Sequence, residues 1–240
     1  MSKVLKLLFI RHAQSTGNQA KRMQGHGDFE LSELGRSQAE KLANRLLAET
    51  WHPSHVYSSP LKRTAQTTEI LLAQWPSAPV AANTLMDAPM LPVNQMPQAI
   101  VVYADELKEF HNGIFEGLTW AEAQAQYPEL CKKLLASPDW IHIPGAESLQ
   151  AARLRSRQFI HRLLAQHHNG DQVWIVTHSW IMQHLIAELL GCDRSWRLRA
   201  NNTALFEFWL DRARWDLDNQ NRYNTDLWQI IRFNDDRHLT

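Results

Sequence analysis

The 240-residue chain carries 25 lysines and arginines against 25 aspartates and glutamates, so no net field exists to hold nucleic acid or an anionic membrane surface, and an anion must be bound by a local cluster. Two cysteines, Cys131 and Cys192, are too few for a secreted disulfide framework and lack zinc-finger spacing, which points to a reducing cytoplasm. The N-terminal apolar run stops at Arg11-His12 without a cleavage site, and no stretch approaches the roughly 18 apolar residues that span a bilayer; a soluble protein with a single domain over residues 1–240 is expected.

In chain order, residues 4–10 are nearly continuously apolar, as a strand covered on both faces should be, and deliver Arg11 and His12 at its C-terminal end. From Ser32, a suitable N-cap, Ala39, Leu42, Ala43, Leu46 and Leu47 recur at helical spacing. Residues 55–59 read as a second strand, followed by a helix over about residues 61–75 with Ser59 as its cap, Pro60 at its start and Arg63 in its first turn. Residues 75–97 have no period and read as loop. One helix is expected over residues 119–135, then punctuation at Ser137-Pro138 and Pro144-Gly145, then a long amphipathic helix over 147–167. Residues 76–146 thus read as an inserted cap that sets specificity. After the turn Asn169-Gly170-Asp171, residues 173–177 form another buried strand that hands His178 to a helix over 180–190. Residues 203–210 and 227–233 look like strands at a sheet edge, where a homodimer has an edge to pair on.

Strands alternating with helices predict an α/β three-layer sandwich: a mainly parallel central sheet, helices on both faces, and a helical insertion over the C-terminal strand ends. Ligands of such sheets gather beyond the carboxyl ends of the strands. Three strands end in Arg11-His12, in Ser58-Ser59 leading to Arg63, and in His178, so these residues should meet in one crevice.

Their chemistry fits phosphoryl transfer. Neutral imidazole attacks phosphorus and forms an N–P bond that water later breaks. The phosphoryl oxygens need fixed cations, which guanidinium groups supply in matching geometry. Arg11 and Arg63 meet that demand, Asn18 adds a neutral donor, and His178, if protonated, would steady developing charge. A leaving alkoxide needs a proton, for which Glu109 is the candidate, with an apolar neighbourhood raising its pKa. Glu106 and Glu116 are its rivals, and the acidic cluster around Glu109 also reads as a solvated face.

The segment Leu8-Phe9-Ile10-Arg11-His12-Ala13-Gln14-Ser15-Thr16-Gly17-Asn18 resembles the R-H-G-x-S-x-x-N signature of the histidine phosphatase superfamily, phosphoglycerate-mutase-like branch. Gln24-Gly25, Asp28, Leu31-Ser32 and Leu34-Gly35 are similar to its next element, Tyr57 to Thr67 to its S-S-x-L-x-R-A-x-x-T block, and Leu107-Lys108-Glu109 with Gly113 and Phe115-Glu116-Gly117 to L-x-E-x-x-x-G-x-W-E-G. Val176-Thr177-His178 closes five collinear blocks spanning about residues 4–180, which is far more specific than any one of them. The resemblance implies that His12 is phosphorylated, that Arg11, Arg63 and His178 form the phosphate pocket, that Asn18 supports it with Gln24 at the rim, and that Glu109 is the proton donor. Two departures are Ala13, where glycine is usual, and Ser179, where glycine is frequent and the backbone amide serves.

The expected activity is metal-independent hydrolysis of a small-molecule phosphate monoester, with no cofactor. A phosphoglycerate-type mutase is the alternative, disfavoured because Phe115-Glu116-Gly117-Leu118-Thr119 resembles the phosphatase wording; an inactive binder of phosphorylated ligands is the third. The remaining histidines, His55 and His167 included, show no carboxylate or cysteine partners at ligand spacing, so no metal site is expected. Trp120, Trp140, His142, Met90 and Met96 are candidates for the substrate mouth.

Overall fold

The computed structural model describes residues 4–74, 99–194, 196–214 and 223–240. Six strands form one sheet in the order β3-β2-β4-β1-β5-β6. They are β1 (Leu5–Arg11), β2 (His55–Ser58), β3 (Ile100–Tyr103), β4 (Gln172–Thr177), β5 (Leu205–Leu210) and β6 (Trp228–Asp235). β3, β2, β4 and β1 are mutually parallel, while β5 and β6 add an antiparallel flank. The expected three-layer α/β architecture with a mainly parallel sheet is what forms.

Strand alternation builds both faces. Leu7, Phe9, Val173 and Ile175 point one way, against Phe159, Ile160 and Leu163 of α6 (Leu149–Gln166) and Ile181, Met182 and Leu185 of α7 (Ser179–Leu189). Leu8, Ile10, Trp174 and Val176 point the other way, against Leu42, Ala43 and Leu46 of α2 (Glu33–Ala48) and Leu71 of α3 (Lys62–Ala73). Full burial on both faces is why these runs are continuously apolar. Ser32 caps α2 by accepting the Gly35 amide, and a one-turn helix, α1 (Thr16–Gln19), is closed by a capping box between Ser15 and Asn18. Among the described residues no helix is long and apolar enough to cross a membrane.

Four local expectations are corrected. The helix after β2 begins at Lys62, and its N-cap position is Leu61, which offers no side-chain capping bond, so Ser59 is not its N-cap; Arg63 nonetheless lies in the first turn. The single helix expected over 119–135 is two, α4 (Trp120–Gln126) and α5 (Pro128–Ala136), because Pro128 has no amide with which to continue α4 and clashes with the preceding turn. The span 76–146 is not wholly outside the sheet: Ile100–Tyr103 pairs in parallel with β2 as an edge strand. Finally, the helix expected from about residue 147 starts at Leu149, with Ser148 as its cap. The loop read over 75–97, with Met90 and Met96, lies outside the described residues apart from its continuation at 99. β6 forms the other sheet edge and exposes Ile230, Ile231 and Phe233.

Gly35 locks the first turn of α2 onto the loop that follows His12. A Cβ there would lie 1.9 Å from the Gln14 carbonyl oxygen, and backbone yields less readily than a side chain. Gly35→Ala should therefore destabilise the fold by about 1–3 kcal/mol, as overpacking does. Urea unfolding checks this: the midpoint should fall at unchanged m-value, and an unshifted midpoint would contradict the contact.

Candidate active site

The C-terminal ends of β1, β2 and β4 converge, and a cavity of about 250 Å³ opens beyond them, lined by Arg11, His12, Asn18, Gln24, Arg63, Glu109 and Ser179 among others. Seven of the eight residues singled out from sequence thus share one hollow. The eighth, His178, is completely buried behind it. A larger hollow, about 590 Å³, lies beside α2 and the C-terminal turn, but none of these residues lines it.

His12 is fixed on both sides. Its amide donates to the Thr177 carbonyl across the β1–β4 junction (2.9 Å). Its ring Nδ1 lies 2.7 Å from the Ala13 carbonyl; a carbonyl only accepts, so Nδ1 carries the proton and Nε2 keeps its lone pair. Burial, then the charges of Arg63 and Arg11, hold the His12 pKa well below the ordinary histidine value. The ring is therefore neutral at neutral pH, with its Nε2 lone pair available. Ala13 packs against Leu31 and Ala39, away from the cavity, which is how the methyl group at this departure is accommodated.

Arg63 is almost wholly buried. Its Nη1 and Nη2 donate to the carbonyls of Gly27 and Gly25 (both 2.8 Å), and its Nε donates to His178 Nδ1 (3.2 Å). Burial lowers its pKa to about 10, so it stays charged at neutral pH. Because His178 accepts at Nδ1, its proton sits on Nε2 and is donated to Ser59 Oγ (2.9 Å). Burial, then Arg63, hold His178 well below the ordinary histidine range too. The charged form considered from sequence is thus not the resting form. The two imidazoles lie 5.0 Å apart between ring centres.

Arg11 donates through Nη1 to the Ala200 carbonyl (2.6 Å), while its buried Nε has no acceptor among the described residues. Asn18 Oδ1 accepts from Ser15 and Asn202, which commits its oxygen and leaves the amino end for the cavity. Gln24 Oε1 accepts from Ser15 Oγ (2.6 Å) at the same wall.

Glu109 has the apolar neighbours expected, sharing the cavity with Phe110, Trp140 and Trp180, but its carboxyl group is also met by polar donors. Its carboxylate accepts the amides of Phe110, Trp180 and Ile181 (3.0, 3.2 and 3.0 Å), with Ser179 Oγ at 3.5 Å, at the positive N-terminus of α7. Arg155 of α6 grips the backbone beneath it, donating to the carbonyls of Glu106, Lys108 and Glu109 while pairing with Glu147. Its rivals are occupied elsewhere: Glu106 pairs with Arg162, and Glu116 accepts the His26 amide beside His111.

Phe110, Trp140 and Trp180 form an aromatic wall, with ring centres 4.1–6.0 Å apart, and they line the cavity with Met23, Ile143 and Asn112. Trp120 packs on Phe115 instead, and neither Trp120 nor His142 lines the cavity. Arg22, also at the rim, is tied to Glu122 and the Gly117 carbonyl.

Two further residues support the site: Thr67, the last position of the S-S-x-L-x-R-A-x-x-T block, and Asn202, which no sequence signal isolated. Thr67 Oγ1 accepts the Ala13 amide and donates to the Arg63 carbonyl (3.1 and 2.7 Å), and Asn202 donates to the His12 carbonyl (3.0 Å). Away from the cavity, His55, His167 and Asp171 come together at the opposite, amino ends of β2 and β4. The sheet pairs His55 with Val173, a proximity that linear spacing does not display.

The family model described as histidine phosphatase superfamily (branch 1) matches residues 7–99 and 90–222. Phosphoserine phosphatase 1 of Hydrogenobacter thermophilus is 30% identical over 203 residues, covering 84% of each chain. Phosphoglycerate mutase-like protein 4 of Arabidopsis thaliana is 30% identical over 181 residues, covering 75% of this chain and 69% of that one. Among solved structures, Bacillus stearothermophilus YhfR superposes with a TM-score of 0.73 at 21% identity, covering 98% of this chain and all of the other, a likeness of fold.

The two buried imidazoles make stability depend on pH in a stated direction. Their folded pKa values lie below the ordinary 6.5, so the unfolded chain binds protons first as pH falls, and their contribution is complete above that value and declines below it. Nitrogen-15 NMR should find both rings neutral at pH 6.5, and the urea midpoint should drop between about pH 7 and about pH 5.5. Rings half-protonated near pH 6.5 would refute the burial argument.

Proposed function

Because the chain belongs to the histidine phosphatase superfamily, we propose that it hydrolyses a small phosphate monoester through a phosphohistidine on His12, with no metal in the reaction. The observation that carries this reading is the pairing of a lone-pair nitrogen with fixed guanidinium groups. His12 has Nδ1 committed to the Ala13 carbonyl, while Arg11 keeps a buried Nε donor without a protein acceptor beside it.

In the first step Nε2 forms a bond to phosphorus as the ester P–O bond breaks. Glu109 gives the leaving oxygen its proton, from the Oε2 side, whose Trp180 and Ser179 contacts are the longer ones. Arg11, Arg63 and the Asn18 amide bear the oxygens' charge, the Arg groups being preorganised so that no reorientation is needed during transfer. In the second step water attacks phosphorus, Glu109 takes its proton, and inorganic phosphate leaves with His12 restored. His178 acts as a positioning residue that orders Arg63, and Ser179 and Gln24 shape the pocket wall.

The aromatic wall receives the alcohol part of the substrate. Residues 76–146 supply most of that wall, which supports their reading as a specificity region on a single domain. The relatives carry both phosphatase and mutase-like names, and the phosphatase reading is preferred because Arg22, the described rim arginine beside the aromatic wall, is already neutralised by Glu122. A mutase must grip the carboxylate of its sugar-acid acceptor with such a cation.

His12→Ala should reduce hydrolysis by at least about 10³-fold and abolish an acid-labile, base-stable phosphoenzyme. Glu109→Gln should slow turnover by about 10²–10⁴-fold. Released inorganic phosphate identifies the hydrolase; isomerised phosphoglycerate in a bisphosphoglycerate-primed assay would identify the mutase instead. EDTA should leave the rate unchanged, and a marked loss would refute the metal-independent mechanism.

A further inference from the structure

The geometry points to a second site: we propose that His55, His167 and Asp171 bind a divalent transition metal ion, zinc by ligand type, at the amino ends of β2 and β4, opposite the catalytic cavity. One ligand atom from each residue lies within 4.8 Å of the others. His167 Nδ1 is already 3.0 Å from Asp171 Oδ2, and the His55 and His167 rings are 4.5 Å apart between centres. His55 and Asp171 are part-exposed, whereas His167 is buried, so an ion has a route in and one immobile ligand to meet.

Both histidines have the outer hydrogen bond that metal-bound imidazoles use to fix their tautomer. Ser54 Oγ donates to the Gln172 carbonyl (3.0 Å). Its proton being committed, it accepts from His55 Nδ1 (3.0 Å), which leaves the lone pair on His55 Nε2. His167 Nε2 lies 2.9 Å from the Tyr57 hydroxyl, and that hydroxyl has a second acceptor in Gln166 Oε1 (3.4 Å). When a metal takes Nδ1 of His167, the ring proton sits on Nε2 and is donated to Tyr57, whose own proton turns to Gln166. No proton is left unplaced.

Two imidazoles and a carboxylate are a zinc-type donor set with one position open to water. Ligand atoms around zinc stand roughly 3.3 Å apart, so a group whose atoms lie within 4.8 Å of one another must close by up to roughly 1.5 Å, a movement that rotation of the part-exposed His55 side chain provides. The ion would join the end of α6, through its C-cap residue His167, to the starts of two neighbouring parallel strands.

Titration calorimetry of the chelator-treated full chain with zinc chloride tests the site. The expected result is one saturable site per chain and a raised unfolding midpoint at an unchanged rate of phosphate ester hydrolysis. His55→Asn and Asp171→Asn, both at part-exposed positions, should each abolish the stabilisation, and Tyr57→Phe should weaken binding about tenfold or more. Absence of saturable binding would overturn the proposal. So would zinc held equally by His55→Asn that inhibits hydrolysis, since that ion would be sitting on His12 and His178.

Discussion

Placing the Arg63 guanidinium out of water is the constraint on which much of the structure depends. An unpaired buried cation is costly, and loss of any one of its partners exposes that cost. The two carbonyls of Gly25 and Gly27 and the ring nitrogen of His178 meet it. Those contacts draw together the loop after α1, the first turn of α3 and the entrance to α7. The same field acts on His12, where positive charge and burial both favour the neutral ring. One buried charge thereby orders the proposed phosphate pocket and favours the unprotonated His12, in a protein whose overall charge is zero.

The division between what the sequence disclosed and what it hid follows from the range of each interaction. Doubly covered strands had to be apolar throughout, so β1 and β4 were legible, and with them the placement of Arg11, His12 and His178 at one sheet edge. The Ser32 cap was legible because it is local. β3 was not: it is a short edge strand with exposed side chains at Ile100, Val102 and Tyr103, and it lacks the burial that makes a run conspicuous. Ser59 looked like a helix cap because serine before proline usually is one; its hydroxyl instead serves His178, 119 positions away. Thr67 closes a block legible in the sequence, but its bond to the Ala13 amide is not, and nothing in the spacing of Asn202 announces its bond to the His12 carbonyl.

Glu109 shows why residue identity can be read more easily than environment. Its motif placed it beside apolar side chains, yet its carboxylate is also held by the amide of Phe110 and by those of Trp180 and Ile181 at the start of α7. The last two come from a helix that begins 70 residues later, so that part of its surroundings is a property of the fold. The grouping of His55, His167 and Asp171 has the same origin, since two parallel strand starts bring His55 beside the end of α6.

The grip of Arg155 on the carbonyls of Glu106, Lys108 and Glu109 gives the acid a support separate from that of the nucleophile. His12 hangs on the sheet, whereas Glu109 hangs on α6 and α7. Wear in the Arg155 clasp would therefore be felt unequally across substrates. Esters of strongly acidic alcohols, whose oxygen departs without help, would scarcely register it, while esters of ordinary alkanols would lose the proton they need. On the proposed mechanism, the steepness with which rate depends on leaving-group acidity is set by an arginine that does not line the cavity.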